Sequence, residues 1–279
     1  MWDSVVGASY EKHFTIDFAK KPPMFHFLEL ETISRCNNDC AFCPVNINYD
    51  TRQPAYMEQS VFERVISELR ELNFGKNGEA MSLFSNNEPF LDMFLIPRLK
   101  YVKTLLPEVT LHLFTNGTLL TLDKFLESRQ FVDKYVINSY GDGLTLSKNA
   151  KLILDYLTCH SELNKNVEIC YRDKNEVLMS RGGRSPNRRV YTAPKVGCVH
   201  PFFQMSLRAN GKVYMCCNDA LQDRCLGDIE KQSLIEIWQG RLYSQFREKM
   251  ITSGRPSLSY CVNCDCYPLY HLYGKFKRA

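Results

Sequence analysis

The sequence predicts an α/β fold, a partial (truncated) parallel β/α barrel followed by a small C-terminal module of β-hairpin plus helix. Residues 26–172 alternate strand-like and helix-like stretches at the lengths of parallel βα units. Too little chain precedes the second group of cysteines for a closed eight-unit barrel, which takes roughly 250 residues. An Asn-Gly pair between two alternating stretches, Asn210-Gly211, marks a hairpin beyond residue 198.

The elements follow in order. His26–Ile33 alternates apolar and polar residues and reads as the first strand. Ala80–Ser85, Thr110–Phe114, Lys134–Ser139 and Val167–Tyr171 are the next four. Between them Ser60–Leu72, Leu91–Leu106, Leu122–Arg129 and Asn149–Leu163 carry apolar residues at three-to-four spacing, which predicts helices. Phe203–Arg208 and Lys212–Met215 flank the Asn-Gly turn, and a single helix around Leu234–Met250 contains Trp238. These readings divide the chain into residues 1–190, a barrel with an N-terminal extension, and residues 191–279.

With 279 residues and 44% hydrophobic content the chain can build one substantial core plus a small module. No apolar run of 18 residues and no basic-then-apolar start is present, so neither membrane insertion nor secretion is expected, and a cytoplasmic location is. The twelve cysteines are grouped like metal ligands rather than spread like a disulfide framework, which also favours a reducing compartment. A formal net charge of +4 implies no polyanionic partner, and no recognition helix or aromatic RNA-binding motif points to nucleic acid.

Cys36, Cys40 and Cys43 form a C-x3-C-x2-C run directly after the first strand. Three thiolates suit a cubane iron–sulfur cluster in which one iron stays open to a substrate or cosubstrate. The competing reading is zinc or buried structural thiols, although zinc sites usually close with four ligands.

This run, in this position, resembles the radical SAM enzymes. The resemblance implies that the open iron of a [4Fe-4S] cluster binds S-adenosyl-L-methionine, whose reductive cleavage supplies a 5′-deoxyadenosyl radical. By the same resemblance Phe42 lies beside the adenine and Glu88, in Ser85-Asn86-Asn87-Glu88-Pro89, meets the methionine ammonium. Ser139, at the end of the fourth strand, would bind ribose. Asn116, in Thr115-Asn116-Gly117, is a further cofactor-binding candidate, with a tight turn as the alternative.

Cys198, Gly211 and Cys216, with twelve and four residues between them, resemble the start of a SPASM/twitch auxiliary-cluster domain. Cys261-Val262-Asn263-Cys264 supplies two further thiols, so Cys198, Cys216, Cys261 and Cys264 would hold one auxiliary [4Fe-4S] cluster. A four-cysteine zinc site is the rival. The choices between Cys216 and Cys217 and between Cys264 and Cys266 stay open, and Cys217, Cys225 and Cys266 are candidate hydrogen-atom donors. Cys159 and Cys170 read as ordinary buried thiols.

Leu178–Gly183 is similar to a segment of radical SAM dehydrogenases that oxidise aminocyclitols in antibiotic biosynthesis, which implies that Arg181 contacts substrate. Arg184, Arg188 and Arg189 continue as a basic lid or a solvated linker. The expected reaction is hydrogen abstraction from a carbinol carbon of a sugar, aminocyclitol or nucleoside-like metabolite, leading to dehydrogenation. The expected partners are that small-molecule substrate and an external reductant such as flavodoxin or ferredoxin. The alternatives are a radical epimerase with a cysteine donor, a ribosomal-peptide maturase, against which residues 1–25 are too few for an appended leader-binding domain, and a zinc-binding interaction protein.

Overall fold

The computed structural model describes residues 24–190, 192–193 and 198–266. The expectations for residues 1–23, 191, 194–197 and 267–279 lie outside them. β1 (Phe27–Leu30), β2 (Ala80–Ser82), β3 (Thr110–Thr115), β4 (Lys134–Gly141) and β5 (Val167–Asp173) pair in parallel in chain order. α1 (Gln59–Glu71), α2 (Leu95–Leu105), α3 (Leu122–Arg129) and α4 (Lys148–Cys159) connect them. All five expected strands and all four expected helices are present. Their apolar faces, including Phe62, Leu69, Leu99 and Ile153, close over the sheet in one core. Thr121 and Ser147 start α3 and α4 by accepting hydrogen bonds from Lys124 N and Ala150 N.

The sheet continues where the sequence suggested a separate module. A short helix, α5 (His200–Phe203), feeds β6 (Gln204–Leu207), which pairs in parallel with β1 from Phe27↔Gln204 to Leu30↔Leu207. The order is β5-β4-β3-β2-β1-β6-β7-β8, an open eight-stranded sheet. β7 (Lys212–Tyr214) and β8 (Cys225–Asp228) complete an antiparallel edge. The β6–β7 connection is the expected hairpin: Arg208 N donates to Lys212 O and Gly211 takes a positive φ, which makes a three-residue loop ending in a left-handed glycine.

The single helix around Leu234–Met250 is instead two, α6 (Leu234–Gln239) and α7 (Arg241–Thr252). Gly240 leaves the helical path at ψ 166°, and a Cβ there would stand 2.8 Å from Glu236 O. The apolar periodicity runs on through the break, which is why the sequence hid it. Arg247 of α7 fixes the corner: its guanidinium lies 4.1 Å from the centre of the buried Trp238 ring and donates to Trp238 O and Pro201 O.

Candidate active site

The loop that follows β1 brings Cys36, Cys40 and Cys43 to the C-terminal end of the parallel strands, the end where barrel sites are built. Its long path is pinned by one buried arginine. Arg52 pairs with Glu31 at 3.2 Å and Asp50 at 2.9 Å, and donates to Ser34 O and Asn86 O, both at 2.9 Å. Arg35 repeats the contact to Asp50 at 3.2 Å. Asn46 donates to Cys40 O at 2.8 Å and accepts from Asn48 N and Tyr49 N, so the turn carrying the second and third cysteines is closed by one side chain.

The triad opens on a cleft of about 600 Å³. Phe42 and Tyr140, with ring centres 5.4 Å apart, form one wall, and the stacked pair Phe84–Phe114 forms another. Glu88 lines it from the loop that follows β2, where it caps the short 3-10 turn Pro89–Leu91. Burial pushes Glu88 up to about 7 even though Oε1 accepts from Thr115 Oγ1 at 2.7 Å and Phe90 N at 3.1 Å, and Oε2 from Asn116 N at 2.7 Å. Asn116 also lines the cleft, and its side chain joins β3 to the triad loop, donating to Asn37 Oδ1 at 2.8 Å and reaching Cys36 Sγ at 3.9 Å. Ser139 is a correction. Strand alternation turns it away from the cleft, where it is fully buried and accepts from Ser147 N at 2.7 Å, while its neighbours Asn138 and Tyr140 face inward.

Arg181 bounds this cleft and also a second cavity lined by Cys216, Cys261 and Cys264. It donates to Asn86 Oδ1 at 3.4 Å and takes a left-handed backbone, as do Gly182 and Gly183. Gly183 sits so close to the Cys261–Cys264 loop that a Cβ would approach Asn263 Cβ to 2.7 Å. Ser180 Oγ donates to Asn263 O at 2.8 Å, and Asp265 accepts from Ser180 N at 2.6 Å. The basic run is therefore fastened down at two points rather than being a free lid: Arg184 pairs with Asp223 and Arg188 with Asp265, each at 2.7 Å.

The two cysteine groups have donor sets that fit iron–sulfur clusters. Burial, first, and neighbouring thiols, second, push Cys198 up to about 12 and raise Cys216 and Cys261 well above the ordinary thiol range. Burial dominates at the first site as well, where Cys40 rises to about 12 with Cys43 as the next cause. Buried, mutually repelling thiols are stable as neutral groups, and bound iron would turn that repulsion into ligation. Amide donors stand by two sulfurs: Asn38 at 3.8 Å from Cys40 Sγ, and Asn116 by Cys36 as above. Among the described residues no three His, Cys, Asp or Glu side chains form a single-ion site.

Cys217 Sγ turns to His200 Nε2 at 3.8 Å, Cys225 is exposed on β8 with its thiol at Gly227 O, and Cys266 is buried, its carbonyl accepting from Arg255 at 2.5 Å. Cys170 is buried as expected, but Cys159 is exposed at the end of α4. The sequence reading missed a buried charge cluster beneath the cleft: Glu29 and Glu31 of the first strand face Arg208 at 3.8 Å each, and Arg208 donates to Ser85 Oγ and, at 3.2 Å, to Cys216 O. Two acidic residues alternating in an otherwise apolar strand were its one signal.

Residues 198–265 match the SPASM family, an iron–sulfur cluster-binding domain. Over 257 residues, 87% of this chain and 93% of the relative, the sequence is 24% identical to the S-adenosyl-L-methionine-dependent 2-deoxy-scyllo-inosamine dehydrogenase of Niallia circulans. Among solved structures it resembles BtrN in complex with AdoMet and 2-DOIA, with 22% identity, 87% and 94% of the two chains covered and a TM-score of 0.75. It also resembles anSMEcpe with bound AdoMet, with 14% identity, 87% and 85% covered and a TM-score of 0.55. At these identities the structural likeness shows the fold. With its C-x3-C-x2-C loop at the mouth of an open parallel sheet, joined to a SPASM-matching module, this chain is similar to radical SAM enzymes with a twitch-type C-terminal domain.

Proposed function

We propose that the chain dehydrogenates a carbinol carbon of an aminocyclitol or a closely related polyol. The observation that carries this reading is the position of Arg181, a shared wall between the cleft of the first cysteine triad and the cavity of the second cysteine set. A substrate held there would touch the radical source on one side and an electron acceptor on the other. The relative's aminocyclitol activity supports the substrate class.

Cys36, Cys40 and Cys43 would hold the cluster that binds S-adenosylmethionine; Cys198, Cys216, Cys261 and Cys264 would hold the auxiliary one. When bound, the first cluster and S-adenosylmethionine supply a 5′-deoxyadenosyl radical. The chain's own work is positioning. Phe42 and Tyr140 offer an aromatic wall to the adenine, Glu88 an acceptor to the ammonium, and Asn138, in the place first given to Ser139, an amide to the ribose. Arg181 presents planar donors to substrate hydroxyls. Residues 1–190 and 191–279 serve as radical-generating and auxiliary halves. A reducing, cytoplasmic setting and a flavodoxin or ferredoxin reductant complete the proposal, in keeping with cysteines grouped like metal ligands.

The test is anaerobic turnover with 2-deoxy-scyllo-inosamine in D2O. A product two hydrogens lighter supports dehydrogenation, whereas an unchanged formula carrying one stable carbon-bound deuterium at an inverted centre supports epimerisation with a thiol donor. Replacing Cys36, Cys40 and Cys43 together by alanine should abolish 5′-deoxyadenosine formation while leaving about four irons per chain. Undiminished cleavage would refute the triad assignment.

A further inference from the structure

Glu29 lies beneath the cleft, fully buried, and only half of its carboxylate is satisfied. Oε2 accepts from Ser85 Oγ at 2.9 Å and Ser206 Oγ at 2.8 Å; Oε1 has no partner among the described residues. An idle buried carboxylate oxygen is costly, and none of the cofactor contacts uses it. Ser85 does line the cleft. Its hydroxyl donates to Glu29 and accepts from Arg208 and, at 3.3 Å, from Asn86 Nδ2, so a cleft-bound hydroxyl that takes the place of the long Asn86 contact is connected through Ser85 to Glu29. The Arg208 guanidinium contacts Ser85 Oγ, stands 3.8 Å from Glu29 Oε2, and donates through its other nitrogen to the carbonyl of Cys216 at 3.2 Å.

We propose that Glu29 receives, through Ser85, the proton released when a carbinol radical in the cleft becomes a ketone, and that Arg208 couples this proton to the charge at the Cys216 site. The proposal rests on the dehydrogenation reading above. The step balances as follows: the radical carbon and its oxygen form C=O, the O–H bond breaks, the proton passes by Ser85 to Glu29, and the electron goes to the auxiliary [4Fe-4S] cluster. Charged and titratable groups face Glu29 from every side: Arg208 beyond β6, Arg181 across the cleft, Cys217 after β7 and Tyr243 of α7. Burial favours the acid and the two arginines favour the carboxylate, a balance that suits a group which must take a proton and later return it.

The experiment uses the full chain with Cys36, Cys40 and Cys43 replaced by alanine, reconstituted so that the auxiliary cluster alone is reduced, and reads its midpoint potential by EPR from pH 6 to 9. With Glu29 coupled, the potential falls as pH rises, by up to about 59 mV for each tenfold drop in proton concentration. It is flat in Glu29→Gln and still sloped in Ser85→Ala, which keeps the carboxylate and Arg208. In the enzyme with its triad intact, given 2-deoxy-scyllo-inosamine, Glu29→Gln and Ser85→Ala each lower ketone formed per 5′-deoxyadenosine at least tenfold, and Glu29→Asp recovers part of the loss. A flat wild-type potential, a slope that survives Glu29→Gln, or an unchanged ketone ratio in both variants overturns the proposal. Should Glu29→Gln not retain its cluster, the Ser85→Ala ratio decides. The potential is measured without substrate, so its failure counts against Glu29, whereas a wild type that makes no ketone counts against the dehydrogenase reading.

Discussion

Arg208→Met removes the one cation that stands between Glu29 and Glu31, and the structure sets the size of the effect. All three side chains are fully buried. Methionine fills most of the arginine's volume, so little of the loss comes from a cavity. What remains is two buried carboxylates facing each other, and breaking a buried pair from one side typically costs about 3–5 kcal/mol. The lower end applies here. Arg208 approaches each carboxylate at 3.8 Å, an ion-pair distance rather than a hydrogen bond, Arg52 still compensates Glu31, and Glu29 can escape by protonating. At roughly 2–4 °C per kcal/mol for a chain of this size, about 3 kcal/mol lowers Tm by about 6–12 °C. The pH dependence has a definite sign. Glu29 already lies above the ordinary carboxyl range through burial, and losing Arg208 raises it further. A raised carboxyl binds its proton in the folded state, so the variant loses stability as pH rises and the gap to wild type widens from pH 5 to 8. Anaerobic thermal unfolding at one scan rate measures both. A drop below 2 °C, or one that does not change with pH, would refute the argument.

Three further outcomes are expected. Glu88 titrates near 7 in the free chain, and an ammonium ligand needs its ionised form; S-adenosylmethionine binding should therefore release protons below pH 7 and tighten as pH rises to 8, by calorimetry in buffers of different ionisation enthalpy, and Glu88→Gln should abolish both trends. Gly183→Ala forces a left-handed alanine, about 1–2 kcal/mol, against Asn263 at 2.7 Å; Tm should fall by at least about 2–8 °C and auxiliary-site iron become substoichiometric, and full iron occupancy would contradict the close packing. Arg181→Lys keeps the charge and loses the planar fork, so 5′-deoxyadenosine should still form while product per cleavage falls; wild-type coupling would leave Arg181 a purely structural residue.

What could be read from the sequence was whatever is local. The triad, the βα alternation and the hairpin around Gly211 each lie within a short window, where spacing and turn chemistry carry the information. Ser139 shows the limit of that window: the sequence locates the strand but ends it two residues short of Gly141, and one residue of alternation separates a side chain in the cleft from one under α4. Gly240 shows another, because an apolar period of three to four does not register a residue whose φ, ψ leaves the helix. The charge cluster was invisible for a third reason, namely that it depends on which strands are neighbours. Glu29 pairs with Ser206 and Leu30 with Leu207 in the parallel β1–β6 register. The register continues past the strand ends, since Glu31 N donates to Leu207 O. Side chains two residues apart share a face, so Glu29 and Glu31 on one strand meet Ser206 and Arg208 on the other. Neither E-x-E nor S-x-R alone calls for a partner 177 positions away. Only the seating of β6 against β1 joins them, and the same seating sets the Cys216 carbonyl on the far side of Arg208. The strand pairing that closes the core thus also determines the distance between the two cysteine sites, which is why a one-residue slip of β6 would turn Arg208 to the opposite face and undo the link between them.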